Sequence, residues 1–246
     1  MTDAPAPAGF DLLMAFQPIV DMASGRIFAY EALVRGAKGE SAESILATVT
    51  PERRAEFDHA CRMAAIRQAC AAGISRTMAR LSINFMPDVV KDPIADSEET
   101  IRVADECGIA PERLMFEFSD LDRLDPVHLQ EIVGAYHKLG FHTAFDDFGG
   151  DEQGQGLAML SRFKPHALKL APQLVRGLSS SWARRLIVEN VVRLAGGLGV
   201  AVIAEGVENG TDYSKLRSLG VKYAQGYFLA RPEIGRLPQI GNRQAA

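Results

Sequence analysis

Cysteine is scarce in this 246-residue chain: Cys61, Cys70 and Cys107 are the only three, and no Cys-x-x-Cys spacing occurs. An odd set of scattered thiols excludes a disulfide-stapled scaffold and points to a reducing, cytoplasmic setting. The five histidines lack the spacing of a zinc site. Positive charge is not in excess either, with 27 basic against 31 acidic side chains and a formal net charge of −4. A polymeric nucleic acid held by bulk charge is thereby excluded, and any nucleotide must be gripped locally. No apolar run approaches the roughly 18 residues of a membrane span. The best candidate, residues 194–204, is interrupted by Gly196, Gly197 and Gly199. The Pro/Ala-rich start has neither the basic nor the apolar part of a signal peptide. It reads as a disordered tail, residues 1–10.

What is present is a chain 47% hydrophobic, of the length usual for one (β/α)8 barrel. Strand patterns at 12–22 and 27–34, joined by a turn, open it with a hairpin. Helical periodicity fills 44–72, with Pro51 starting the longer helix and Gly73 ending it. Further strands are expected at 80–85, 113–118, 142–148, 167–170, 200–204 and 223–228. Helices at 127–139, 182–198 and 212–219 lie between them, closed by Gly140, Gly199 and Gly220. Eight strands alternating with helices predict an α/β TIM-like barrel over 11–236, with an antiparallel strand in the opening hairpin and a C-terminal tail at 237–246.

Nearly every expected strand ends on a polar side chain: Glu31, Asn84, Glu117, the Asp146–Asp147 pair, Lys169, Glu205 and Gln225. One such residue can be no more than the N-cap of the next helix. A succession of seven points to a shared mouth at the C-terminal face, where barrel active sites are built. Glu31, Glu117, Asp146, Asp147 and Glu205 would put five carboxylates beside one cation, Lys169. Without compensation some of them must take up protons. An all-oxygen set, with the Asn84 amide added, suits hard divalent ions, and two such ions form a clamp for attack of water on a phosphodiester.

The motifs resemble those of the EAL-domain phosphodiesterases of cyclic di-GMP. The similarity runs through Gln17-Pro-Ile19, Glu31-Ala-Leu-Val-Arg-Gly36, Asn84, Phe116-Glu-Phe-Ser-Asp120, Asp146-Asp-Phe-Gly149, Lys169, Ala204-Glu-Gly-Val-Glu208 and Gln225-Gly-Tyr227. It implies that Glu31, Asn84, Glu117 and Asp146 hold one Mg²⁺ or Mn²⁺. Asp146, Asp147 and Glu205 would hold a second, with Asp146 bridging; Ca²⁺ would bind without supporting turnover. Lys169 would contact the attacking water and the scissile phosphate, and Gln225 would orient that water. Glu205 is a ligand or the general base. Gln17, Arg35 and Glu208 would face the substrate, and the reaction would give the linear diguanylate. A homodimer and a regulatory protein partner are further implications.

Three departures stand out against the family pattern. The loop after Gly149 is two residues longer and lacks the usual Tyr-Ser-Ser. Asp120 replaces a Glu that anchors this loop, and Ala171 replaces an Asp after Lys169. These changes keep a second reading open: a weak or inactive domain acting as a cyclic di-GMP receptor or protein-interaction module. With the strands using 12–228, no attached sensor domain is expected. Other signals carry less. Gly196-Gly-Leu-Gly199 follows a helix and reads as a C-cap. Arg53, Arg54, Arg62 and Arg67 read as a solvated helix face. His142 and His166 fall near strand starts, where stability is the expected role.

Overall fold

The computed structural model describes residues 9–119, 125–150 and 155–240. β1 (Leu12–Asp21) and β2 (Ile27–Gly36) form the antiparallel hairpin, with Gln17 opposite Glu31. Asp21 sets the turn, its Oδ1 accepting the N–H groups of Ala23 and Ser24 at 3.0 and 2.8 Å. The parallel strands follow: β3 (Arg80–Phe85), β4 (Leu114–Phe118), β5 (His142–Phe148), β6 (Ala167–Leu170), β7 (Ala201–Ala204) and β8 (Tyr223–Ala224). β1 pairs with both β2 and β8, so eight strands close a barrel in the expected order.

Helices α1 (Ala42–Leu46), α2 (Arg54–Ala71), α3 (Glu98–Glu106), α4 (Pro126–Lys138), α5 (Gln155–Arg162), α6 (Pro172–Val175), α7 (Trp182–Leu198) and α8 (Gly210–Ser218) connect them. Their ends follow local chemistry. The Asp125 carboxylate caps α4 by accepting from His128 N at 3.1 Å, and Asn209 caps α8 by accepting from Asp212 N at 2.8 Å.

Strand parity positions the site. Side chains two residues apart share a face. Ile19, Ala29, Met115, Ala144, Ala167, Ile203 and Tyr223 form one buried apolar layer inside the barrel. Each lies one inward step below a polar residue: Gln17, Glu31, Glu117, Asp146, Lys169, Glu205 or Gln225. The intervening residues face the helices. Phe116, for example, packs with Tyr136 and Phe141 of the α4 region at ring distances of 5.0 Å.

The structure departs from expectation in detail. The last strand ends at Ala224 rather than at 228, because Gly226 passes against the backbone of Val207, where a Cβ would meet carbonyl and amide atoms. β1 is left without β8 along its upper half, and a strand not foreseen, β9 (Glu233–Ile234), covers it by pairing with Ala15 and Phe16. Arg62 is not on a solvated face. It is buried beside buried Asp58 one helical turn earlier, Nε to Oδ2 3.1 Å, because this side of α2 packs on the barrel. Asp58 Oδ1 also accepts Met86 N at 2.9 Å, tying α2 to the segment after β3. The segment expected as a C-terminal tail begins with Leu237 packed on the core, and Tyr30 Oη donates to Pro238 O at 3.2 Å.

Two glycines should respond in opposite ways to alanine. Gly226→Ala has no room and is expected to cost roughly 3 kcal/mol. Gly196→Ala, within α7 and with nothing within 4 Å, should stabilise by about 0.5–1 kcal/mol. Urea unfolding of the two variants measures both effects.

Candidate active site

At the C-terminal mouth a single cation sits among carboxylates from four other strands or strand ends. Lys169 Nζ lies 2.6 Å from Glu117 Oε2, 2.7 Å from Glu205 Oε1, 3.3 Å from Asp146 Oδ1 and 3.4 Å from Glu31 Oε1. Lys169 and Glu117 are buried almost completely. Around them runs an amide belt. Asn84 Nδ2 donates to Glu31 Oε1 at 3.0 Å, and Gln225 Nε2 donates to Glu31 Oε2 at 2.5 Å and to Gln17 Oε1 at 3.2 Å. Gln17 Nε2 in turn donates to Ala230 O at 3.0 Å. Sequence reasoning missed Ser82, whose hydroxyl donates to Glu117 Oε1 at 2.5 Å. Its signal was parity, since Ser82 stands one inward step below Asn84.

The electrostatics follow from one cation serving four acids in a dry place. Burial would lower the Lys169 pKa, but Asp146, Glu117, Glu205 and Glu31 together hold it well above the usual lysine range. Burial raises Glu117 well above the carboxylate range; Lys169 opposes this, while Glu31, Asp146 and Glu205 add to it. Glu205 is pushed by burial to about 8. Burial also works against ionised Glu31, but Lys169 and the Asn84 and Gln225 amides hold its pKa below the usual value. Without metal, the cluster therefore keeps protons at neutral pH.

β5 carries the aspartate pair through an irregularity. Its register with β6 shifts between Phe145 and Phe148, and Asp147 takes φ +51°, an uncommon conformation for a residue with a side chain. Asp146 Oδ1 accepts Asp147 N at 2.8 Å. Asp147 is exposed at the rim, and a Cβ on Gly150 would lie 2.5–2.7 Å from its carboxylate. The mouth thus carries the oxygen donors of Glu31, Asn84, Glu117, Asp146, Asp147 and Glu205, which suit hard divalent ions. Gln225 Oε1 is a further buried oxygen with no hydrogen-bond partner among the described residues. The fit is one of donor chemistry. Among the described residues no acid or imidazole cluster already has metal-holding geometry, since the Lys169 ammonium is the point on which the carboxylates converge.

Other sequence-derived residues lie apart from this cluster. Arg35, half-buried, donates from Nη1 to the carbonyl of Val34 at 2.8 Å. Glu208 pairs with Arg176 at 3.0 Å on the surface. Ala171 is fully buried and leads into α6 without a side-chain cap. Asp120 and loop residues 151–154 lie outside the described residues.

The Glu205 shift fixes the sign of a pH effect. A folded pKa raised from 4.5 to about 8 contributes stability that is complete below the unfolded value and lost as pH rises through about 8. His142 and His166, lowered to about 4, act in the opposite sense, but only below about 6.5. Between pH 6.5 and 8.5 the metal-free protein should lose stability by up to about 1.4 kcal/mol per pH unit from this group. Glu205→Gln should flatten the slope. Urea midpoints in EDTA test this, and an unchanged slope in the variant would refute it.

Comparison with known proteins places the chain in a lineage. The EAL domain pattern matches residues 6–232. A stand-alone versatile EAL protein from Vibrio cholerae O395, solved in its c-di-GMP-bound form, is 37% identical, with a TM-score of 0.89 over 95% of this chain and 97% of that one. The manganese/cy-diGMP complex of Klebsiella pneumoniae BlrP1 at pH 9.0 is 28% identical, with a TM-score of 0.86 over 96% of this chain and 59% of that one. Among curated relatives, the cyclic di-GMP phosphodiesterase PA2567 of Pseudomonas aeruginosa is 30% identical over 92% of this chain and 39% of its own length. The blue light- and temperature-regulated antirepressor BluF of Escherichia coli is 28% identical over 92% of this chain and 55% of its own. The chain thus spans about half or less of the length of these two relatives, and it belongs to the EAL domain family.

Proposed function

We propose that the protein is a metal-dependent phosphodiesterase that hydrolyses one phosphodiester of cyclic di-GMP to the linear diguanylate. The observation that carries this reading is the buried Lys169 ringed by Glu31, Glu117, Asp146 and Glu205 at the barrel mouth. Glu31, Asn84, Glu117 and Asp146 would hold one Mg²⁺ or Mn²⁺; Asp146, Asp147 and Glu205 would hold a second. Bound there, the ions would supply Lewis-acid polarisation of the phosphate and a lowered pKa for the attacking water.

The chain's own groups do the positioning. Lys169, held charged by the carboxylates around it, would offset the phosphate's developing charge. Gln225, fixed through Glu31 and Gln17, has a buried Oε1 unpaired among the described residues and able to accept a hydrogen bond from the attacking water. Arg35 stands at the end of β2, where its planar fork suits phosphate, and Glu208 stands after β7 on the substrate side. One P–O bond forms to water oxygen and the ester P–O bond breaks. The water gives up one proton as it bonds to phosphorus, and the departing ribose oxygen gains one.

The same reading includes a cytoplasmic homodimer, with a regulatory protein as partner. Its cytoplasmic part is supported by the free cysteines, and among the described residues no helix is long and apolar enough to cross a membrane. A second reading, a receptor without turnover, is favoured by Ala171 and by the antirepressor relative.

Incubation with cyclic di-GMP and Mg²⁺ or Mn²⁺, followed by separation of nucleotides, should show the linear product, and Glu31→Ala should lower turnover at least about 100-fold. Intact binding by calorimetry without product under either metal would assign the receptor reading instead. Light scattering should find twice the 26.7 kDa chain mass.

A further inference from the structure

The opposite mouth of the barrel holds a second constellation. A cavity of about 440 Å³ opens there, lined by Arg80, His137, His142, Lys164, His166 and Lys222 with several apolar residues and no carboxylate. The apolar layer of Ile19, Ala29, Met115, Ala144, Ala167, Ile203 and Tyr223 separates it from the carboxylate mouth. We propose that this cavity is a binding site for a small phosphate-bearing anion.

Three cations and a set of N–H donors converge on it. The Arg80 Nε is buried and, among the described residues, has no hydrogen-bond partner. Its guanidinium is held 4.9 Å from the Phe28 ring centroid, and Lys222 Nζ lies 5.1 Å from that of Tyr223. His166 Nδ1 accepts the Thr143 N–H at 3.1 Å, so in the neutral ring Nε2 carries the proton and is a donor. The His142 ring stacks on His166 with centroids 4.0 Å apart at 19°, and His137 meets His166 edge-on at 4.8 Å. Burial and the neighbouring cations push His142 and His166 down to about 4. The imidazoles are thus neutral donors at pH 7, and the charge comes from Arg80, Lys164 and Lys222.

A transition metal is the alternative occupant of a three-histidine site. It is disfavoured because stacked rings place their nitrogens side by side rather than converging, because three cations surround the position, and because no metal-holding group is found among the described residues. An oxyanion meets no such conflict. Arg80 offers a fork, the two lysines are point charges, and the cavity admits a phosphate with a small organic body. The charged groups near the histidines are Arg80 from β3, Lys164 before β6 and Lys222 before β8. Arg113 lies beside Arg80 and Asp21 beside Lys222.

The test uses the full chain and pyrophosphate or inorganic phosphate as probe, with citrate and chloride at matched ionic strength as controls. The readout is the ring-proton NMR signals of His142 and His166, which report this mouth whatever the other one binds. The expected result is a saturable shift with the phosphate probes at pH 7.5, where Arg80, Lys164 and Lys222 supply the charge. The Lys164→Ala/Lys222→Ala double variant, changed at two exposed side chains, should weaken it at least tenfold, and Glu117→Gln should leave it unchanged. No saturation by about 10 mM, an equal response to citrate or chloride, or undiminished affinity in the double variant would each overturn the proposal.

Discussion

One buried ammonium organises this barrel. Lys169 is the counter-ion of four carboxylates, each delivered by a different strand or strand end. A charge taken out of water is tolerated only when paired and hydrogen-bonded. The pairing therefore constrains where β2, β4, β5, β6 and β7 stand relative to one another. A one-residue slip of any of them would turn its acid outward toward the helices and put an apolar side chain in its place. The same arrangement that disfavours slipped registers also holds the donor atoms within reach of a common point.

The cost of that concentration appears in the protonation states. One cation cannot serve four clustered acids, so Glu117 and Glu205 are pushed toward their neutral forms while Glu31, favoured by two amides, resists. The site is frustrated in its metal-free form, and the frustration is of the kind that divalent ions relieve. The far mouth has the inverse imbalance, cations and neutral imidazoles without an acid among its lining residues. The barrel is consequently polar along its axis, although its formal net charge is only −4.

Much of this was legible in the sequence, and the reason is parity. Strands in a barrel alternate between core-facing helix contacts and the lumen, so Glu31, Glu117, Lys169 and Glu205 stand out as polar interruptions in apolar runs. Glycines after helices, such as Gly73, Gly140 and Gly199, marked ends that adopt positive φ. What remained hidden depends on contacts between residues far apart in sequence. Arg62 reads as one more surface arginine until α2 packs its Asp58 side on the barrel. The end of β8 is set by Val207, and β9 exists because β1 has an uncovered half. Ser82 is a small residue in an apolar strand until Glu117 is placed across from it. His142 and His166 come together with Lys164 and Lys222 only when the strand starts converge.

The register shift in β5 has a geometric consequence of its own. A regular strand alternates between lumen and helices, so only every second residue of it reaches the mouth. By absorbing an extra residue between Phe145 and Phe148, β5 changes phase and lifts Asp147 to the same rim as Asp146. The mouth gains a second carboxylate from a single strand. Local irregularity here extends the combinatorial capacity of a closed sheet, at the modest expense of one residue held at φ +51°.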